Sequence, residues 1–405
     1  MQKTYYVAII GGGFSGLILA DVLSSAIGAE KVLLIEKNDR VGKKILATGN
    51  GRGNITNLSV GEENYHSVNG ANVGEIINKY GNKSIIGYFN GLGVAVSDEE
   101  GKVFPSSFQA NSVLDALRQK LDYLKTDIKV GEGVTLVEKN GKGFKITTQS
   151  GEYFAQKVVF ACGGKAGKQY GTDGSAYSLL KPFGHTVTKL YPSLVQVKTD
   201  VQKIKGLKGI KQRATVTAIS NGEKIKSFTG DLLFTDFGVS GNVIFNLTAY
   251  FPVEKSVMLS IAFLPDKSWG ELSEFIASKF KNMPFVNGED VLTGIINKQV
   301  GKAIVKECQG LTYDEKGAKK LASLIKDFRL EVKGTLGFDY AQVTKGGIPF
   351  NQVSPRDMQS VKVKDLYIVG EMLDVDGDCG GYNLQWAYSS AMTAADGVIN
   401  DYENR

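Results

Sequence analysis

An α/β fold, in which a parallel sheet is interrupted by a long insert of strands and helices, is predicted by three observations. An apolar run, Tyr5 to Ile10, leads through Gly11-Gly12-Gly13-Phe14-Ser15-Gly16 into the apolar-periodic stretch Leu17 to Leu23. A second strand, Lys31 to Ile35, follows and ends in Glu36. Far along the chain, the short apolar strand Leu366 to Val369 opens into Gly370-Glu371 and a glycine-rich turn ahead of a last helix, so both ends of the chain read as parts of one sheet.

The first of these is a dinucleotide-binding fingerprint. Gly11 permits the tight turn, Gly13 lets backbone approach a pyrophosphate, and Gly16 lets the helix pack closely on the sheet. The N–H groups at the helix start, with the positive end of the dipole, then face phosphate. Glu36 stands 20 residues beyond Gly16, the spacing at which a carboxylate meets a ribose hydroxyl.

The remaining elements follow in order. Helical patterns run over about Val73 to Leu92 and Asn111 to Leu124, the second with Val113, Leu114, Leu117 and Leu121 on one face. Strands are expected at Ile128 to Glu138, Phe144 to Thr148 and Tyr153 to Ala161, joined at Asn140-Gly141 and Ser150-Gly151. From Thr186 to Leu264 short strands with turn signals, among them Arg213 to Ile219, Lys224 to Phe228 and Ser256 to Phe263, suggest a small barrel or sandwich. Three helices come next. Capping boxes Ser268-x-x-Glu271 and Thr312-x-x-Glu315 begin two of them, and Asn287 with Asp290 can cap the middle one. Strands return over Leu330 to Val343, and the last helix spans about Asn383 to Ile399. The domain reading is therefore 1–185 plus 346–405 for nucleotide binding, 186–265 plus 329–345 for a β-barrel substrate domain, and 266–328 for a helical domain.

Composition narrows the function classes. With 405 residues, 42% of them hydrophobic and 22% charged, the chain reads as an ordinary globular protein of more than one domain. No apolar run approaches the ~18–20 residues that span a bilayer, and no signal-peptide pattern opens the chain. Three cysteines, Cys162, Cys308 and Cys379, lack CxxC spacing and point to a reducing compartment, so the cytoplasm is expected. The net charge of +6 comes from lysines scattered in pairs such as Lys43-Lys44 and Lys319-Lys320. That pattern predicts a mildly basic surface and a small-molecule substrate, with neither nucleic acid nor membrane as partner.

Two further motifs carry chemistry. Lys37 through Asn57 holds Gly42, Gly49, Gly51 and Gly53 beside Lys43, Lys44 and Arg52, a set of backbone and charged donors longer than a nicotinamide needs and suited to an extended flavin. The segment Gly370 to Gly381 opens the last helix, whose dipole could stabilise the negative charge of a reduced flavin. Only a dinucleotide spans both Gly11–Gly16 and Gly370–Gly381, so FAD rather than FMN is expected. The alternation Asp374-x-Asp376-x-Asp378 is not a calcium loop, because Cys379 occupies the glycine position and Gln385 that of the bidentate Glu; no metal is expected. His185 is expected to be structural and His66 solvated, while Cys162 and Cys379 flank glycine turns.

The stretches VAIIGGGFSG, GKKILATGNGRGNITN, GKVFPSSFQA, FTDFGVSGN, VTKGGI and YIVGEMLDVDGDCGGYNLQWA follow the order found in the bacterial aminoacetone-oxidase-like FAD flavoproteins, which this chain resembles over nearly its whole length. The resemblance implies a glutathione-reductase-like FAD-binding Rossmann domain with an inserted β-barrel and a small helical domain. It also implies FAD contacts at Gly11, Gly13, Ser15, Gly16, Glu36, Lys37, Lys44, Thr48, Gly49, Asn50, Gly51, Arg52, Asn54, Val134, Ala161, Gly163, Glu371, Asp374, Asn383 and Leu384, with Gly370 and Gly381 bounding the last motif. The chain departs from the family pattern in three places. Gly53 replaces a cysteine, Asp236 and Asn242 replace a histidine and a proline, and the stretch Gln352-Val353 with Asp357 to Val361 is degraded. From its position in the family motif, Asp236 is the candidate catalytic base.

The leading expectation is an FAD-dependent oxidoreductase that passes a hydride between a small substrate, such as an amine or ketone held under the barrel insert, and flavin. No second strand–GxGxxG–helix unit follows the first, so reoxidation by oxygen or a small acceptor is expected. The alternatives are an NAD(P)H-dependent flavin reductase, an RNA-interacting flavoprotein and a regulator without turnover.

Overall fold

The computed structural model describes residues 3–286 and 288–404. They divide into two compact units, Met1–Ser193 with Ala341–Arg405, and Leu194–Tyr340.

The first unit is built on β1 (Thr4–Ile10), α1 (Phe14–Ile27) and β2 (Val32–Ile35). β1 runs parallel to β2 on one side and to Glu152–Phe160 on the other. Covered on both faces, it is a continuous apolar run in which Tyr5 through Ile10 are all buried. Asp127–Lys129 extends the sheet beyond β2, and Leu366–Ile368 pairs in parallel with the end of Glu152–Phe160. Gly143–Thr148 and Val134–Asn140 complete it as antiparallel strands. The final helix, Tyr382–Glu403, packs on α1, so the C-terminus closes the domain that the N-terminus begins.

In the first unit one expected strand and one expected helix are each divided in two. The single strand expected over Ile128 to Glu138 is two, because Gly131, in the left-handed region at φ 72°, turns the chain while its N–H donates to the Asn38 carbonyl at 2.6 Å. The helix expected over Val73 to Leu92 breaks at the extended Gly81 into Gly74–Lys79 and Asn82–Gly91.

The second unit is a closed six-stranded barrel in the order Val197–Thr199, Gly238–Ser240, Glu223–Phe234, Lys211–Ser220, Met258–Phe263 and Phe328–Thr335. Alternating Ala214, Val216 and Ala218 point inward with Leu259, Ile261, Phe263 and Leu330. Trp269–Asn282, Lys298–Glu307 and Glu315–Lys326 share this core, so barrel and helices form one hydrophobic cluster. Ser268 and Glu271 form the expected capping box. At the third helix the cap is Asp314, whose carboxylate accepts the Gly317 N–H at 2.9 Å, while Thr312 donates to Asp314. The middle helix starts at Asn297, which caps Gln299 and Val300, and Asn287 lies outside the described residues. The segments Tyr191–Ser193 and Val343–Lys345, read from sequence as part of the insert, pair with each other in the first unit.

Candidate functional site

The glycine fingerprint is held by contacts that leave no room for a side chain at two of its positions. Gly11 has φ 107°, and a Cβ there would lie 2.5 Å from the Ala161 carbonyl oxygen; one at Gly16 would lie 1.9 Å from the Gly11 carbonyl oxygen. Around Gly13, by contrast, a Cβ would meet nothing within 4 Å. The chain is thus locked on both sides of an open backbone position. Helix α1 begins there with no side-chain cap and no acid in its first turn, so its positive end is left uncompensated next to Gly13 and Ser15.

Glu36, at the end of β2, is buried, and its carboxylate organises the turn. Oε2 accepts the Gly12 N–H at 2.7 Å, and Oε1 accepts the Asn38 N–H and the Asn38 side-chain amide at 2.8 and 2.7 Å. Asn38 also donates to the Tyr170 carbonyl at 3.1 Å and so ties the β2 end to the loop after Gly163. The reading from sequence missed Asn38, although an Asn two residues past a strand-ending acid was a local signal. Lys37 is exposed and pairs with Asp173 at 3.1 Å.

The second loop makes an unusual turn. Gly49, Asn50 and Gly51 occupy consecutive left-handed conformations, at φ 56°, 57° and 82°. Asn50 carries a Cβ, yet asparagine is one of the few such residues that adopt this conformation. Thr48 anchors the run by donating to Ile45 O at 2.6 Å and accepting the Gly53 N–H through its carbonyl at 3.0 Å. Arg52 lies over the Phe104 and Phe108 rings at 4.3 and 4.6 Å and pairs with Glu99 at 2.5 Å. Asn54 is buried and donates to Thr56 O and Val103 O, both at 2.9 Å, bracing the loop against its strand.

Lys44 and Glu371 meet across the fold. The ammonium donates to Glu371 Oε2 at 2.7 Å and to Ala166 O at 3.0 Å, and Glu371 Oε1 accepts the Thr344 N–H at 2.9 Å. The Thr344 hydroxyl oxygen accepts the Lys165 and Ala166 N–H groups at 2.7 and 2.9 Å. Ala161 is buried at the end of its strand, Gly163 turns just beyond it at φ 72°, and Val134 is half-buried at the start of an edge strand.

The carboxylates of the last motif have separate tasks. Asp374, fully buried, accepts from Ser67 Oγ, Val68 N and Asn69 N at 3.0 to 3.1 Å. Asp378 faces His66 Nε2 at 2.8 Å and the Asn64 amide at 3.3 Å. His66 is therefore largely enclosed, with its side chain 13% exposed, and not solvated as its polar surroundings in sequence suggested. Asp376, also fully buried, accepts the Ser193 hydroxyl at 2.9 Å through Oδ2, and burial pushes its carboxyl up to about 7. Asn383 accepts the Gly377 N–H at 2.8 Å and returns a bond to Gly377 O at 2.9 Å. Beside it, Gly381 starts the final helix with no side-chain cap and no acid in the first turn, Leu384 is half-buried, and Gly370 accepts from the Trp386 indole at 3.1 Å.

The Cys162 thiol donates to Ile10 O at 3.2 Å, and burial pushes it up to about 12; burial raises Cys379 as well. Neither is a thiolate at neutral pH. His185 is buried between Gln352 at 3.0 Å and Ser360 at 2.9 Å, a structural placement, and burial lowers its pKa. Asp236, in the second unit, is 63% exposed and paired with the exposed Lys208 at 2.8 Å, which lowers its pKa. Among the described residues no group of three or more His, Cys, Asp or Glu is arranged to hold a metal, and no helix is long and apolar enough to cross a membrane.

Residues 5–397 match the family described as HI0933-like protein Rossmann domain. The chain belongs to this family. A curated relative, the 3-dehydro-bile acid delta(4,6)-reductase of Clostridium scindens, is 32% identical over 398 residues, covering 96% of this chain and 97% of the relative. The ribosomal RNA dihydrouridine synthase of Escherichia coli is 29% identical over 411 residues, covering 98% and 99%. Among solved structures, a 3-ketosteroid-delta4-(5alpha)-dehydrogenase from Rhodococcus jostii RHA1 shares the fold with a TM-score of 0.50 at 14% identity, covering 98% of this chain and 97% of that one. The HI0933-like chain is thus an α/β Rossmann-type flavoprotein that binds FAD and belongs to the FAD oxidoreductases. The resemblance to aminoacetone-oxidase-like flavoproteins holds at that superfamily level and not for that activity in particular.

Proposed function

We propose that this chain uses FAD to transfer a hydride to or from a carbon–carbon double bond conjugated with a carbonyl in a small organic substrate. The observation that carries the reading is the full-length similarity to a 3-dehydro-bile acid delta(4,6)-reductase, a name that describes double bonds in line with a 3-keto group. In place of the amine or ketone first expected, the substrate is then an enone or dienone.

The cradle fits the cofactor. Open backbone at Gly13, the uncompensated start of α1, and the left-handed run at Gly49, Asn50 and Gly51 offer donors suited to a pyrophosphate. Glu36 supplies acceptors for ribose hydroxyls. Ser15, Lys37, Thr48, Arg52 and Asn54 hold the surrounding loops, and Val134, Ala161, Gly163, Gly370 and Asp374 shape the walls. The paired Lys44 and Glu371, with the start of the final helix at Gly381, Asn383 and Leu384, would meet the ring system. When bound, FAD supplies the two-electron chemistry, and the protein supplies position and electrostatics. Within this reading the domain is of the glutathione-reductase-like type. A single dinucleotide fingerprint also supports electron exchange with oxygen or another small molecule, so any nicotinamide would have to share the substrate cavity.

A second reading, reduction of a uracil ring in RNA, is favoured by the 29% identical dihydrouridine synthase. The bond chemistry is the same, because the uracil double bond is also conjugated with a carbonyl. Pairing of Lys203 with Glu307, Lys208 with Asp236 and Lys211 with Asp231 favours the small molecule, since these lysines of the second unit already have carboxylate partners.

The test is anaerobic photoreduction of the purified flavoprotein, followed by addition of a 3-oxo-Δ4,6 steroid, a simple cyclic enone or a ribosomal RNA fragment. Return of the oxidised spectrum with a steroid or enone is expected. Return with RNA alone would select the second reading, and an unchanged reduced spectrum with all three would overturn both.

A further inference from the structure

Asp376 is the one carboxylate of the last motif whose needs the fold leaves half met. Asp374 is surrounded by three donors, and Asp378 by His66 and Asn64. Asp376 is equally inaccessible, yet only Oδ2 has a partner, the Ser193 hydroxyl, while Oδ1 is buried without one. A buried carboxyl oxygen without a partner is costly, and such an atom calls for a group beyond the chain itself. Its address is informative. Asp376 lies between Gly370-Glu371, at the end of a sheet strand, and Gly381, at the start of the final helix. It is held in register there by antiparallel pairing with His66. Around it stand Lys345 from the strand Val343–Lys345, His66 from Tyr65–His66, Ser193 from Tyr191–Ser193, and Asp374 on its own segment. Lys345, His66 and the Ser193 hydroxyl favour the carboxylate. Asp374 opposes it, and burial outweighs the first three, so the acid and its anion are close in energy near neutral pH.

We propose that Asp376 is the proton site of the flavin centre, taking up a proton at Oδ1 when the bound flavin gains two electrons and releasing it on reoxidation. This rests on the FAD reading above. The two electrons arrive as a hydride from an organic donor and the proton comes from water, so a carboxylate becomes a carboxylic acid as negative charge arrives nearby. The physical cause is the low-dielectric setting, in which a second negative charge beside Asp376 raises its proton affinity. The arrangement would keep the centre from accumulating charge and leave a proton stored for the reduced product. The exposed Asp236, ionised beside Lys208, has no such property.

The experiment is a spectroelectrochemical titration of the flavin-loaded protein, its Asp376→Asn variant and its Ser193→Ala variant between about pH 6 and pH 9. Above pH ~7, where the oxidised protein holds Asp376 as carboxylate, the potential of the unmodified protein should fall more steeply with pH than that of Asp376→Asn, by one proton per two electrons. Below that point the two slopes should coincide. Ser193→Ala removes the donor that favours the anion, so the onset of the steep region should move to higher pH. This variant keeps the test available where Asp376→Asn does not fold. Coincident slopes in the unmodified protein and Asp376→Asn at every pH, or an onset unmoved in Ser193→Ala, would overturn the proposal while leaving FAD binding intact. Failure to retain FAD at all would strike the underlying reading instead.

Discussion

Replacing Asp376 with asparagine should change how stability depends on pH, and the size of the effect can be worked from the site. Burial pushes the carboxyl up to about 7 in the folded protein, against 3.8 for a free aspartate. Its folded-state pKa is raised, so the native state binds more protons than the unfolded chain between those values. The native state is therefore favoured most when the group is neutral, below the unfolded value, and loses stability as pH rises through the folded one. At 1.36 kcal/mol per unit the whole span amounts to about 4 kcal/mol, of which about 2–3 kcal/mol falls between pH 5 and pH 8. Asparagine keeps the shape and has no proton to lose. Measured by urea denaturation of both proteins under the same FAD saturation, the stability of Asp376→Asn relative to the unmodified protein should rise by that amount from pH 5 to pH 8. Titrating groups remote from Asp376 cancel in the comparison. A difference between the two proteins that stays constant with pH would show that Asp376 is ionised throughout and would refute the reasoning.

Glu36→Gln should weaken FAD binding by about 1–3 kcal/mol by removing charge-assisted acceptors, and calorimetric titration of the apoprotein giving unchanged affinity would mean that Glu36 does not face the ribose. Gly16→Ala places a methyl group 1.9 Å from the Gly11 carbonyl oxygen, so a loss of about 1–3 kcal/mol and of bound flavin is expected; a normal melting temperature with full flavin content would contradict the packing described. Asp236→Asn should leave stability within about 0.5 kcal/mol and turnover unaltered, because its carboxylate is exposed and paired with an exposed lysine. A marked loss of turnover would restore it as the base. Mass analysis of the released cofactor should identify FAD, and FMN would contradict a cradle that runs from Gly11 to Gly381.

Much of the fold was legible because its signals are local. A strand, glycine turn, helix, strand and acid lie within 32 residues, from Tyr5 to Glu36, and each part is set by neighbouring backbone chemistry. The same holds for the Ser268 capping box and for the alternation that placed barrel strands at Arg213 to Ile219 and Ser256 to Phe263. Errors arose where two local signals competed. The helix expected to be capped by Thr312 is capped by Asp314, whose carboxylate lies one residue before the first turn and reaches the Gly317 N–H. Glycine at 131 turned a run that apolar pattern alone would have continued.

What the sequence determined by itself was therefore the strand–glycine turn–helix–strand unit and the FAD that goes with its family, written in residues that act on their own turns. What only the tertiary structure decided was which distant groups meet: Lys44 with Glu371 across 327 positions, and Ser193 with Asp376 across 183. No periodicity encodes such pairs. Whether a carboxyl is satisfied or left wanting depends on the donors that the folded chain brings around it, and this is why Asp374, Asp376 and Asp378, alike in sequence, differ in chemistry.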